Sequence, residues 1–390
     1  MSLATASRLA SARSGLVAAL LLAAAPLTAQ PAATGREAII ARWADSIARD
    51  VARDSVGAIT AGVVIGDRVV WKRGFGFADA IRRTPADENT VYRIGSITKS
   101  FTAVAFVQLA EQGRVTLDDS VARYLPEING LADRRPNTPA ITLRQLASHT
   151  GGIIREPRLQ GAATGPYERW ESRILESIPT TAFDTVPGAR YQYSNIGFGI
   201  LGYTISRAAD RPFVDLVTTG ILQPLGMTSS GFVATPAIRA HLSVGYTNRP
   251  GEPPDTVAPA REHAGRGYKV PNGGLYSTAE DLGRFMMAMW GGTQRPILSP
   301  ANRAEMMKLQ TPGNARSGYG LGFQLAIAEN GQRIVSHGGS VAGYTAHIAF
   351  DPDARVGVVL LRNYAGGAVN LGGRANALLR ELVAAEPARR

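Results

Sequence analysis

Cysteine is absent from all 390 residues. That excludes a disulfide framework and any thiol nucleophile. Lysine is scarce: four lysines stand against thirty-eight arginines. The arginines are scattered, with no dense basic run, so a formal charge of +11 does not describe a nucleic-acid-binding surface. The five histidines, His149, His241, His263, His337 and His347, show no H-E-x-x-H or other metal spacing, and no metal is expected. There is no G-x-S-x-G elbow, which removes the lipase-type arrangement of a serine nucleophile. "GFGILG" at 197–202 fits G-x-G-x-x-G. No strand precedes it and no acid follows at the required distance, so no dinucleotide cofactor is expected. Internal repeats and low-complexity tracts are also missing.

The start of the chain stands apart from the rest. Residues 1–29 carry Arg8 and Arg13, no acid, an apolar core over 15–25 and then "LTAQ". That is the three-part pattern of a secretory signal, with cleavage after Ala29. The apolar run is too short to span a bilayer comfortably; an uncleaved N-terminal anchor is the alternative. No cysteine is present to carry a lipid. Cleavage would remove two arginines and no acid, taking the charge from +11 to +9. The expected product is a periplasmic or secreted protein of about 360 residues with no stable membrane span, long enough for one large domain or two.

Along the mature chain the order of signals suggests one architecture. Residues 36–56 place Ile39, Ile40, Trp43, Ile47 and Val51 at helical spacing. Residues 58–79 are rich in valine and isoleucine and broken by "GD", a hairpin signature. From Ser96 to the stop at Gly113 a helix is expected, and over 101–110 it is apolar almost all round, as a buried helix is. The middle is mixed, with helical pieces at "ITLRQLASHT" and "NIGFGILGYTISRAAD". Residues 249–267, rich in proline, glycine and charge, read as a surface excursion. Strands return in the last third, separated by "ENG" and "DPDA", and "NALLRELVAA" closes the chain as a helix. The reading is an α+β fold: an antiparallel sheet formed from both termini and flanked by helices, with an inserted, mainly helical subdomain. The sheet part covers about 36–113 and 271–382, and the insertion about 114–270.

Three motifs carry chemistry. In "YRIGSITKSFTAVAF", Ser96 and Lys99 stand three apart, on one face of a helix. A lysine in apolar surroundings loses pKa and can help remove a serine proton. At a helix start, free N–H groups favour an oxyanion. The plainer reading is a serine cap with a snorkelling lysine. In "RYQYSNIGFG", Tyr193 could relay protons if a nearby cation lowered its pKa, and Asn195 could hold a substrate carbonyl. Alternatively, Asn195 caps the following helix and Tyr193 packs. In "VSHGGSVAGY", His337, Gly338, Gly339 and Ser340 fall on or beside a strand, where glycines let a substrate lie against the backbone.

Taken together and in this order, S-x-x-K, Y-x-N and H-x-G resemble the serine β-lactamase and penicillin-binding protein superfamily. The likeness is nearest to its class C β-lactamase, DD-peptidase and esterase branch. "LRQLASHTGGI", "PLGMTSS", "GGLYSTAEDLGRFM", "GYGLGF" and "FDPDARVGVVLLRN" agree with it, over about 36–382. The resemblance implies Ser96 as the nucleophile of an acyl-enzyme. It implies Lys99 and Tyr193 as partners in proton transfer, with Tyr193 activating water for deacylation. Asn195, His337 and Gly339 would contact substrate, and the backbone N–H groups of Ser96 and Ser340 would form the oxyanion hole. His149, in "SHTGG", would be structural. Neither cofactor nor metal is implied; the partner is a small-molecule or peptidoglycan-like substrate.

The chain departs from the β-lactamases of that branch at the third motif, where they typically carry Lys-Thr-Gly. His337 brings no fixed charge to hold a substrate carboxylate, and Gly338 replaces a hydroxyl. The missing charge could come from an arginine elsewhere. The expected activity is hydrolysis of an ester, D-amino-acid peptide or β-lactam carbonyl, with β-lactams ranked last. The alternatives are a class C-like β-lactamase and a sensor of β-lactams or muropeptides that acylates without turnover.

Overall fold

The structure, a computed structural model, describes residues 35–247, 253 and 255–385. The signal segment expected at 1–29 lies outside the described residues. Helix α1 (Gly35–Asp54) buries Ile40, Trp43, Ile47 and Val51 along one face. Strands β1 (Ala58–Ile65) and β2 (Arg68–Asp79) form a hairpin turned at Gly66, whose φ is +66°. Strand β3 (Thr84–Pro85) is a short edge.

The helix expected from Ser96 is split. Ser96 lies in a 3₁₀ turn, Gly95–Ile97, and α2 (Thr98–Glu111) follows. Lys99 therefore falls in the first turn of α2. Eleven of its fourteen residues are buried, so α2 has no solvent face and runs through the core.

Helix α3 (Asn195–Ala209) begins with Ser194 as its cap, the hydroxyl accepting from Gly197 N–H at 3.0 Å. It ends where Asp210 turns left-handed. Helix α4 (Ala279–Met289) is capped by Thr278. The chain then returns to the sheet through β4 (Ser317–Tyr319), β5 (Gln324–Ile327), β6 (Arg333–Val341), β7 (Tyr344–Asp351) and β8 (Val356–Arg362). The β7–β8 turn is held by Asp351, whose carboxylate accepts from the N–H groups of Asp353 and Ala354. Helix α5 (Leu371–Ala384) follows.

The eight strands lie in the order β3-β2-β1-β8-β7-β6-β5-β4, and each neighbouring pair is antiparallel. The β1–β8 pair, from Ile59 opposite Arg362 to Ile65 opposite Val356, joins the two ends of the chain in mid-sheet. Side chains alternate across the sheet. Val356, Val358 and Leu360 face α1 and α5, packing with Trp43, Ile47 and Leu379. Val359 and Leu361 face the other way, into the larger core that holds α2 and α4. Every residue of β8 is buried, as expected of a strand covered on both faces. Among the described residues, no helix is long and apolar enough to cross a membrane.

Candidate active site

Lys99 is fully buried. Its Nζ lies 3.2 Å from Ser96 Oγ, 2.8 Å from Asn195 Oδ1 and 3.0 Å from the Asn272 carbonyl oxygen. Burial, followed by the charges of Arg266 and Arg155, holds its pKa well below the usual lysine value, with Glu156 pulling weakly the other way. A neutral amine has two N–H groups and one lone pair. The two amide oxygens can only accept, so they take the N–H groups. In that neutral form the lone pair is left for Ser96, whose hydroxyl would donate to it; a charged Lys99 would instead donate to Ser96 Oγ.

Tyr193 lines the same cleft as Ser96, and against the upward push of burial the Ser96 hydroxyl lowers its phenol pKa. The Lys99 amine and the Arg155 guanidinium stand over its ring, Nζ at 4.9 Å and Cζ at 4.8 Å from the centroid. Burial nevertheless dominates and pushes the phenol up to about 12. At neutral pH Tyr193 is therefore a hydroxyl that can both give and accept a proton, and not a phenolate.

Asn195 is the first residue of α3, after the capping serine. Its Nδ2 donates to Glu156 Oε1 at 2.6 Å. Glu156 Oε2 in turn faces Lys269 Nζ at 3.2 Å and accepts from the Tyr268 hydroxyl. Asn272 Nδ2 donates to the Asn195 carbonyl at 2.9 Å. The chain of contacts runs Ser96, Lys99, Asn195, Glu156, Lys269. Sequence reasoning missed Glu156, Tyr268, Lys269 and Asn272. One signal could have found them: Lys269 is among only four lysines, and two of the four meet in this network.

The opposite wall is β6. Strand β5 pairs with β6 only as far as Ser336. Residues 337–341 therefore pair with β7 on one side and turn the other edge toward Gly95–Ile97. The approach is close enough to require glycine twice. Gly95 has φ +52°, and a Cβ there would stand 2.7 Å from Ser340 N. A Cβ on Gly339 would fall on the Ile94 carbonyl oxygen and lie 3.2 Å from Ser96 N. The backbone nitrogens of Ser96 and Ser340 thus flank one seam.

His337 turns both ring nitrogens inward. Nδ1 is 2.7 Å from the Gly338 carbonyl, which can only accept, so Nδ1 carries the proton. Nε2 accepts from the Tyr319 hydroxyl at 2.8 Å. Burial pushes the ring pKa down to about 3. His337 therefore lends the cleft no charge. His149 packs its ring 4.2 Å from that of Tyr193, and its Nδ1 accepts from Ser194 N–H at 3.0 Å. It braces the start of α3.

These buried rings make the fold acid-sensitive. His337 titrates at about 3 and His347 at about 4, and His149 is also pushed down, all by burial first. Below the unfolded value of 6.5 the unfolded chain takes up protons that the folded rings refuse. Each ring then costs about 1.4 kcal/mol of stability per pH unit, down to its folded pKa. The urea midpoint of unfolding is expected to fall steadily from pH 7 to pH 5. A midpoint that does not move would contradict neutral, buried histidines.

Ser96, Tyr193, Asn195, His337, Gly339 and Ser340 all line one cleft of about 620 Å³, and Lys99 lies beneath it. The structure therefore brings the sequence-predicted residues together. Four cations also line the cleft, Arg155, Arg266, Lys269 and Arg362, and no described carboxylate does. Arg266 corrects one expectation. The stretch 249–267 reads as a surface excursion, but its end dives inward: Arg266 and Gly267 are buried, and Arg266 Nε lies 3.0 Å from Glu262 Oε2. Internal pairing hides charge that composition assigns to solvent.

A family model described as Beta-lactamase matches residues 43–381. The human protein named "Putative beta-lactamase-like 1" is 31% identical over 322 residues, which are 78% of this chain and 61% of that protein. The chain thus spans about three fifths of the length of this curated relative. Among solved structures, "EstCE1, a hydrolase with promiscuous acyltransferase activity" superposes with a TM-score of 0.75 at 23% identity, covering 89% of this chain and 98% of that one. "A class C beta-lactamase" gives 0.74 at 18%, covering 92% and 99%. The two structures share the fold, and the match over residues 43–381 settles the lineage: this chain belongs to the beta-lactamase family, a family of serine hydrolases.

Proposed function

We propose that this chain is an exported serine hydrolase that forms an acyl-enzyme at Ser96 with an ester or a D-amino-acid peptide. Export rests on the pattern of residues 1–29. The observation that carries the chemistry is the buried Lys99 amine, whose Nζ lies 2.8 Å from Asn195 Oδ1, 3.0 Å from the Asn272 carbonyl and 3.2 Å from Ser96 Oγ. Lys99 takes the serine proton as Oγ bonds to the carbonyl carbon. The oxyanion is met by the N–H groups of Ser96 and Ser340. As the carbon–leaving-group bond breaks, the proton passes from Lys99 through the Tyr193 hydroxyl to the leaving group. Water then attacks the acyl carbon by the same route in reverse. Because burial keeps Tyr193 protonated, this reading gives base duty to Lys99 and a relay to Tyr193, in place of a Tyr193 phenolate. Asn195 orients both amine and substrate.

The β-lactam reading ranks lower because His337 and Gly338 offer neither the charge nor the hydroxyl of a Lys-Thr-Gly motif. A time course of intact mass separates the readings, with a penicillin in one sample and a p-nitrophenyl ester in another. An adduct that forms and clears faster with the ester supports the esterase reading. Faster clearance of penicillin makes the protein a β-lactamase, and a penicillin adduct that never clears makes it a sensor.

The oxyanion assignment has its own test. Gly339→Ala should push β6 away from the Ser96 turn and lower kcat by about 10²–10³-fold. Wild-type kcat in a folded Gly339→Ala protein would remove the assignment.

A further inference from the structure

The four cations of the cleft are not equivalent. Lys269 faces Glu156 at 3.2 Å, Arg266 faces Glu262 at 3.0 Å, and Arg155 is 3.9 Å from Glu156. Arg362, at the end of β8, has no carboxylate within ion-pair distance among the described residues. It is only 5% exposed. Asp54 acts on it only from beyond ion-pair distance, and a buried charge without a close counter-charge is costly, so a bound anion would relieve it.

Its guanidinium is nonetheless held in place. Nε donates to Thr345 Oγ1 at 2.8 Å and to the Tyr364 carbonyl at 3.1 Å, and Nη1 donates to the Val369 carbonyl at 3.0 Å. Nη2 donates to no partner among the described residues. The ring of Tyr364 lies 4.8 Å from Cζ. These contacts fix the fork without placing a carboxylate against it.

The sheet register places Arg362 with respect to Ser96. Ser340, Thr345 and Arg362 stand directly opposite one another on β6, β7 and β8. Two strand spacings put the Arg362 Cα roughly 10 Å from that of Ser340, and the side chain leans back toward Thr345. Gly338, two residues before Ser340, has no side chain to block the way. The start of α5 borders the same cleft through Leu371 and Gly372, where unpaired N–H groups and the helix dipole also favour an anion.

We propose that Arg362 is the specificity-determining residue of this cleft, and that it pairs with a carboxylate carried by the substrate some distance from the reacting carbonyl. This rests on the hydrolase reading and sharpens it. Among esters and D-peptides, it selects those with a free carboxylate, such as a peptide ending in an unblocked C-terminus. The charge absent from His337 is supplied from two strands away.

The test uses matched phenyl esters that differ only in a carboxylate. One pair carries it on the leaving ring and the other on the acyl chain. The wild-type chain should prefer the carboxylate member of at least one pair in kcat/KM. Arg362→Gln should lower that preference about 10- to 100-fold. Arg362→Lys, which keeps the charge and loses the fork, should lower it less. No preference in the wild type would overturn the proposal without any variant. So would a preference that survives in a folded Arg362→Gln protein. If no ester acylates Ser96, the hydrolase reading fails on its own. Binding of the same pairs to Ser96→Ala, with and without Arg362→Gln, then still decides the role of Arg362.

Discussion

Ser96→Ala is expected to abolish the acyl-enzyme and to lower kcat/KM by about 10⁴-fold or more. The size follows from the site's construction. Burial holds the Lys99 pKa well below the ordinary lysine value, and its Nζ lies 3.2 Å from Ser96 Oγ. Without Oγ the amine has nothing to activate, and the remaining groups can only bind substrate. Intact mass is the direct measurement. A substrate-derived adduct persisting in Ser96→Ala would place the nucleophile elsewhere. The fold should survive the change, since Ser96 makes no capping bond in its 3₁₀ turn.

Loss of Lys99 should be the next largest effect. Lys99→Ala is expected to cost about 10²–10⁴-fold in kcat/KM, the usual worth of a positioned base. Lys99→Arg should be no better, because a guanidinium cannot give up its proton in a protein. The pH profile tests the mechanism separately. A base works only when deprotonated, so activity rises with pH through the pKa of Lys99. Because burial lowers that pKa well below 10.5, kcat/KM should already be on its plateau near neutral pH. A rate still climbing between pH 9 and 10 would mean an ordinary, charged lysine and would sink the proton path. The acid side must be read with care for unfolding, since His149, His337 and His347 weaken the fold there.

How much of this was legible in the sequence depended on how local each feature is. Ser96 and Lys99 are three residues apart, so helical spacing alone brings them together. The hairpin at Gly66 and the turn at Asp351 were legible for the same reason, since each is made by its own few residues. Glu156, Lys269 and Asn272 were not. They come from short segments that meet Asn195 only after the helical region has packed, and of the three only Lys269 is marked by composition, as one of four lysines. Tyr319 was invisible for a different reason. Its role as hydrogen-bond donor to His337 exists only because β4 and β5 bring it beside β6. Arg362 looked like one more arginine among thirty-eight. Burial with no described carboxylate in ion-pair distance distinguishes it, and that is a property of the assembled sheet.

On the proposed mechanism, the pairing of β1 with β8 also sets when the protein can become active. Its partners lie some three hundred residues apart in the chain. Contacts of that separation close late, because the entropy of a long loop must be met before any of them forms. The seam between Gly95 and Ser340 belongs to the same late assembly. A chain still emerging from the ribosome, or cut short anywhere before β6, holds Ser96 and Lys99 already but has no oxyanion seam. Without the sheet and its surrounding loops, Lys99 is also a solvated, ordinary ammonium. On that mechanism, reactivity arrives with the last strands, and unfinished copies of the protein are expected to be chemically quiet.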